Sequence, residues 1–138
     1  MRIAQKLLDE IVAHALENPE IECCGIVAVA VGDDGTRTAT HVYRAKNIHE
    51  TYLKFEIDPK EQMEIEAAID EAEWGFGAIY HSHTRTEPKP SQTDIAFAAN
   101  MRGIEWIIVG LAGDEPEVCS WLIDGAEVSE VPLEDAPS

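Results

Sequence analysis

Two histidines, His81 and His83, stand two positions apart, and Ser91 and Asp94 follow after a loop over residues 84–90. If residues 77–83 form a strand, positions 81 and 83 project from one face. Two imidazoles side by side at a strand end make half of a first-row metal site. Asp94, in the first turn of a following helix, can return a carboxylate to the same point. Two histidines, one carboxylate and a fourth position open to water describe a catalytic zinc centre, where water acidifies towards neutral pH and yields a hydroxide nucleophile. The same ligand set accepts iron, cobalt or nickel. A proton acceptor is also required, and Glu22, on the approach to the first long strand beside Cys23-Cys24-Gly25, is the best candidate. Its carboxylate can take the proton of the attacking water and later give it to a leaving amine. Ser91 can donate a hydrogen bond to the oxyanion of a tetrahedral intermediate.

Each residue also has an ordinary reading. Two histidines spaced in this way occur as half-buried strand residues, and Ser-x-x-Asp is itself a helix-capping pattern. The two readings of Ser91 and Asp94 are compatible, because a cap also fixes where Asp94 points. Cys23 and Cys24 read as small core residues, Cys24 the more buried. His14, His41 and His49 show no partner pattern and read as surface residues, and Trp74, Trp106 and Trp121 as packing. A rival metal pattern, Gly75, His81, His83 and Glu87, matches the opening of a cupin signature. No histidine follows His83 to complete it, and three helical patterns interrupt the chain.

The elements that must position these groups follow from periodicity and turn chemistry. Apolar residues from Ile3 to Leu16 recur at helical spacing, predicting a helix over 3–17 that Asn18-Pro19 stops. Strands are expected at 25–31 and 36–43, joined by a hairpin turn at Gly32-Asp33-Asp34-Gly35, with a short strand at 52–57. Asp58-Pro59-Lys60-Glu61 opens a second helix running to about Trp74, where Gly75 ends it. A strand at 77–82, an extended two-proline loop at 84–91 and a helix over 92–101 capped by Ser91 come next. Strands near 105–111, 118–123 and 126–131 close the domain, the last two joined at Asp124-Gly125. Residues 133–138 read as a frayed tail. No repeat and no linker is visible, so residues 1–138 are expected to form a single domain.

Composition narrows the partners. Across 138 residues, 27 acidic side chains against 10 basic ones leave a formal charge of −17. That balance argues against sequence-independent binding to nucleic acid or to anionic membranes, both of which need a basic face. No apolar run is long enough for a membrane span, and the N-terminus does not read as a signal peptide. Three cysteines, two of them adjacent, suit a reduced cytoplasmic protein. Five of the ten bases, Arg44, Lys46, Lys54, Arg85 and Lys89, flank the motifs, where they can contact an acidic partner or a substrate carboxylate. Scattered solvated bases are the plainer reading.

Taken together, Glu22-Cys23-Cys24-Gly25 and HSHTRTEPKPSQTD resemble the JAMM (MPN+) metallopeptidase family, whose pattern is E-x-x-G far upstream, then H-[ST]-H, seven residues, S, two residues and D. The resemblance extends over most of the chain. It implies an α/β fold, a mixed, mostly antiparallel curved sheet flanked by helices and similar to cytidine deaminase. It implies one zinc ion ligated by His81, His83 and Asp94, with Glu22 as general acid/base and Ser91 on the oxyanion. The compact length is similar to the stand-alone prokaryotic branch, and the histidine loop to the Mec-type enzymes. Those release cysteine from the C-terminal Gly-Gly end of a small ubiquitin-like sulfur-carrier protein, in cysteine biosynthesis. Isopeptidases that remove ubiquitin-like modifiers from lysines share the reaction class. A non-catalytic module that keeps metal for stability, and a hydrolase of small amides, are the readings from other classes. The oligomeric state is left open.

Overall fold

The computed structural model describes residues 1–137. In chain order the elements are β1 (Arg2–Ile3), α1 (Gln5–Glu17), β2 (Cys24–Val31), β3 (Arg37–Ala45), α2 (Pro59–Glu71), β4 (Gly75–His83), α3 (Gln92–Ala98), β5 (Glu105–Gly110), β6 (Glu117–Asp124), β7 (Glu127–Val131) and β8 (Glu134–Asp135). The strands form one mixed sheet in the order β7-β6-β5-β4-β2-β3-β1-β8. The long pairings β2–β3, β2–β4, β5–β6 and β6–β7 are antiparallel, while β4–β5 is parallel. A parallel neighbour requires a crossover, and the segment through α3 supplies it. Register shifts near Val27, Ala28 and Val29 on both sides of β2 add twist, and the sheet curls. The expected mixed, curved, mostly antiparallel sheet between helices is the one observed.

Two apolar layers cover the two faces of the sheet. On one, α1 buries Leu7, Ile11 and Ala15 against Val27, Val42, Ala78, Tyr80, Ile107 and Val109. On the other, α2 contributes Ile65 and Ile69 and α3 contributes Ala98, against Ile26, Ile79, Trp106 and Ile108. The strict alternation along β4 serves both layers: Ala78 and Tyr80 face α1, while Ile79 faces the opposite core. His81, next on that same side, is fully buried, with Cys24 and Ile108 as its neighbours on β2 and β5.

Several boundaries differ from the sequence-based expectations. The first helix begins at Gln5, because Arg2–Ile3 pair as a strand with Thr38 and with Glu134–Asp135. The tail predicted to fray is therefore paired in parallel, and Ala136 is buried; Ser138, its last residue, lies outside the described residues. Residues 52–57 form no strand. They make a single bridge between Ile57 and Asn47, while Phe55 and Ile57 sink into the core. Asp58 caps α2 through the Lys60 amide, with Pro59 in the first turn, as the sequence pattern requires. The helix ends earlier than expected, at Glu71. Glu73, not Gly75, takes the left-handed position (φ 61°), which frees Gly75 to start β4. The third helix stops at Ala98. No helix among the described residues is long and apolar enough to cross a membrane.

Candidate metal centre and active site

The site lies at the C-terminal end of β4, where the chain leaves the sheet for the crossover to β5. His81 and His83 project together, and α3 brings Asp94 to meet them. His81 Nε2 lies 3.2 Å from His83 Nε2 and 3.1 Å from Asp94 Oδ1, and His83 Nε2 lies 3.0 Å from Asp94 Oδ2. Asp94 is aimed by a reciprocal cap: its amide donates to Ser91 Oγ at 3.1 Å, and its Oδ2 accepts from the Ser91 amide at 2.9 Å. Helix capping and carboxylate placement are thus one piece of geometry. The cap uses a lone pair of Ser91 Oγ, so the hydroxyl proton remains available to a ligand.

The donor chemistry of these three residues suits a metal ion. His83 Nδ1 lies 2.9 Å from the Glu87 carbonyl, which can only accept, so Nδ1 carries the proton. In the neutral ring, Nε2 then presents a lone pair to a carboxylate oxygen. Such a contact between two acceptors is satisfied by a proton or by a cation. A tetrahedral ion with ligands at 2.0–2.1 Å would hold those atoms roughly 3.3 Å apart, close to the separations here. The three residues form the metal-capable cluster among the described residues. Glu87 is the outer partner that fixes ring orientation at His83.

The electrostatics follow from burial and pairing. Burial by itself would raise the Asp94 carboxyl, but the two imidazoles and the Ser91 amide outweigh it and hold it well below the usual range. His81 is wholly enclosed, so desolvation wins and depresses its pKa despite Asp94. Desolvation also opposes charge on His83, but there Asp94 and the Glu87 carbonyl prevail and its pKa rises. The Phe55 ring lies over His81 with centroids 4.4 Å apart.

Glu22 is buried on the segment entering β2, and its Oε1 has no hydrogen-bond partner among the described residues. Desolvation pushes its carboxyl up to about 8, with the charges of His83 and Asp94 acting as smaller, opposed influences. A carboxyl poised near neutrality beside a metal-capable cluster is suited to taking and returning a proton. Cys23 and Cys24 are both buried core thiols, and burial raises both. Gly25 has a steric reason for its identity: a Cβ there would fall 2.2 Å from the Tyr80 ring and 2.5 Å from the Tyr43 carbonyl.

The five flanking bases separate into groups. Arg85 and Lys89 line a groove of about 520 Å³ with His83, Thr86, Glu87 and Ser91. The Arg85 guanidinium also lies 3.6 Å over the Tyr52 ring, which links the two-proline loop to residues 47–57. Lys46 lines a smaller cavity beside Glu22 and pairs with Glu50 at 3.7 Å. Arg44 is engaged by Glu17 of α1. Lys54 is exposed.

Three positioning features escaped the sequence reading. His14, expected at the surface, is half-buried, with Nδ1 2.6 Å from the Tyr80 hydroxyl. Trp121 does more than pack, because its indole N–H donates to the Pro88 carbonyl at 2.8 Å and anchors the loop that carries Glu87. Asn47 is buried and hydrogen-bonded to the Glu22 backbone. No spacing signal marks these three contacts, since their partners lie 66, 33 and 25 positions away in the chain.

The fold and the two-histidine, one-aspartate cluster together define a JAMM-type hydrolase scaffold. Residues 4–124 match the family model of prokaryotic homologues of the JAB domain, and the chain belongs to that family. A desampylase from Haloferax volcanii is 35% identical over 68% of this chain and 69% of its own length. A CysO-cysteine peptidase from Mycobacterium tuberculosis is 31% identical over 95% of this chain and 88% of its own. A solved structure of a protein from Desulfitobacterium hafniense, 27% identical, superposes with a TM-score of 0.86 over 99% of this chain and 93% of its own.

Proposed function

We propose that this protein is a zinc-dependent peptidase that hydrolyses the amide bond following a C-terminal Gly-Gly of a small ubiquitin-like sulfur carrier, releasing cysteine in cysteine biosynthesis. The observation that carries the reading is the convergence of His81, His83 and Asp94, with the proton of His83 committed to Glu87, beside the buried Glu22 carboxyl. The peptidase relative, aligned over nearly the whole chain, supports the choice of substrate class.

His81, His83 and Asp94 would hold zinc, which when bound supplies a Lewis acid for the scissile carbonyl and acidifies water. Glu22 accepts the proton of the attacking water and returns it to the leaving amine. The Ser91 hydroxyl donates to the developing oxyanion. Glycines suit an extended tail threaded past these groups because they lack side chains, and strand addition is one route for holding such a tail. Arg85 and Lys89, which line the groove at His83, would meet an acidic carrier surface. Three free cysteines support a reducing, cytoplasmic setting.

The desampylase relative favours a second reading, removal of a ubiquitin-like modifier from protein lysines, with the same bond type and the same residues. Incubating the zinc-loaded protein with a diglycine-ending carrier joined to cysteine, and separately to a lysine side chain, decides between them by mass of the products. Cleavage of the cysteine conjugate supports the first reading and cleavage of the lysine conjugate alone the second. Failure on both under zinc-replete conditions rejects the substrate class.

A further inference from the structure

Glu22 lies outside regular structure, two residues before β2, yet a general base must be held to within a fraction of an ångström. What holds it is found in the segment 47–57. Asn47 is 5% exposed and its amide is fully used. Nδ2 donates to the Glu22 carbonyl at 3.0 Å and to the Lys54 carbonyl at 2.9 Å, while Oδ1 accepts from the His49 amide at 3.1 Å and the Glu56 amide at 3.2 Å. Two carbonyls on one side and two N–H groups on the other leave a single orientation for the amide. The Glu22 amide in turn donates to the Thr51 carbonyl at 2.9 Å. On the other flank, the Cys23 amide donates to Ser82 Oγ at 2.8 Å, a side chain taking the place of a ladder carbonyl where β2 departs from β4. Glu22 is therefore suspended between β4 and the 47–57 segment, and Asn47 is the side chain through which that segment grips it.

We propose that Asn47 is a positioning residue that acts through Glu22. It locks the 47–57 segment and the Glu22 peptide into one hydrogen-bonded unit, so that the conformation of the segment sets the placement of the base. The segment also carries Tyr52, whose ring is covered by the Arg85 guanidinium, and Arg85 lines the groove at His83; a substrate tail that engages Arg85 thereby acts on the segment and on the base. The proposal rests on the reading of Glu22 as acid/base.

Asn47→Asp is the discriminating change, because it keeps the acceptors for His49 and Glu56 but removes both donors. With the zinc-loaded protein and a diglycine carrier joined to cysteine as probe, kcat should fall roughly 10- to 100-fold with little change in KM or in zinc stoichiometry. Hydrogen exchange should rise at the Glu22 amide and stay unchanged along β4. In an E22Q background the same change should cost nothing further, since residues acting through one another are not additive. Multiplying losses, or a Glu22 amide that remains protected in Asn47→Asp, would overturn the role of Asn47. A loss of kcat matched by an equal loss of folded, zinc-bearing protein would reduce it to a structural one. An E22Q protein at full rate would instead sink the acid/base reading, and the Asn47 proposal with it. An inactive E22Q beside a fully active Asn47→Asp would sink only the latter.

Discussion

At the scale of single residues, function sits where ordinary stability rules are broken. The Glu22 carboxyl is buried with an unpaired oxygen, and its pKa is raised from 4.5 to about 8. A group whose folded pKa is raised contributes full stability below its unfolded pKa and loses that contribution as pH climbs through the folded one. The metal-free protein should therefore lose stability on this account between about pH 4.5 and 8. Replacing Glu22 by Gln should flatten that slope and stabilise the metal-free protein at pH 9 by on the order of 2 kcal/mol, with little effect at pH 5. Thermal unfolding in chelator at the two pH values measures it. The same variant, loaded with zinc, should keep the ion and lose about 10²- to 10⁴-fold in hydrolysis. Ser91→Ala should show the two roles of one hydroxyl: about 1 kcal/mol of stability from the cap, and a fall in kcat beyond what the unfolded fraction explains. The convergence of His81, His83 and Asp94 was legible in the sequence because a strand and a helix cap turn spacing directly into direction. Asn47, Trp121 and His14 were not, because hydrogen bonds to distant backbone or to a buried phenol leave no periodic trace.

At the scale of elements, loops that look slack in sequence are anchored by sterics. Gly110 on β5 is the clearest instance: a Cβ there would meet the Pro88 ring at 2.7 Å. The missing side chain lets the two-proline loop lie down and bring the Glu87 carbonyl to His83. Gly110→Ala should push that loop away and weaken zinc binding about 10-fold, with α1 and β1–β4 unaffected. Competition with a chromophoric chelator reads the affinity, and an unchanged value would mean that Glu87 does not orient His83. Gly25→Ala, by contrast, meets the Tyr80 ring inside the sheet and should cost roughly 2–3 kcal/mol in chemical unfolding. The long elements were readable from apolar periodicity and turn residues. The short ones, β1 and β8, were not, because two-residue strands have no period: β1 exists through its pairing with β3 and β8, and β8 through its pairing with β1. Segment 52–57 misled for a related reason. Its apolar residues Phe55 and Ile57 point into the core from a loop that Asn47 holds, without a strand beside it.

At the scale of the whole molecule, the charge of −17 is a background against which local exceptions count. Arg44 and Lys46 are matched by acids, whereas Arg85 and Lys89 line the groove at His83 and Ser91. Reversing both, Arg85→Glu with Lys89→Glu, should raise KM for an acidic carrier several-fold and leave kcat nearly unchanged. Added salt should narrow the gap between variant and parent, since exposed charges are screened within about 10 Å at 0.1 M. An equal effect on kcat would argue that these bases serve the chemistry and not the docking.

The proposed metal ligands all come from residues 81–94, one strand end and the next helix cap, and closing so short a loop costs little entropy. Glu22 arrives from the other side of the sequence, and the hydrogen bond that seats it next to β4 joins residues 59 positions apart. On the proposed reading, a partly unfolded chain retains its ion after the base has gone. Zinc content reports the integrity of one short segment, whereas turnover reports that of the sheet, and the two should separate first on mild denaturation.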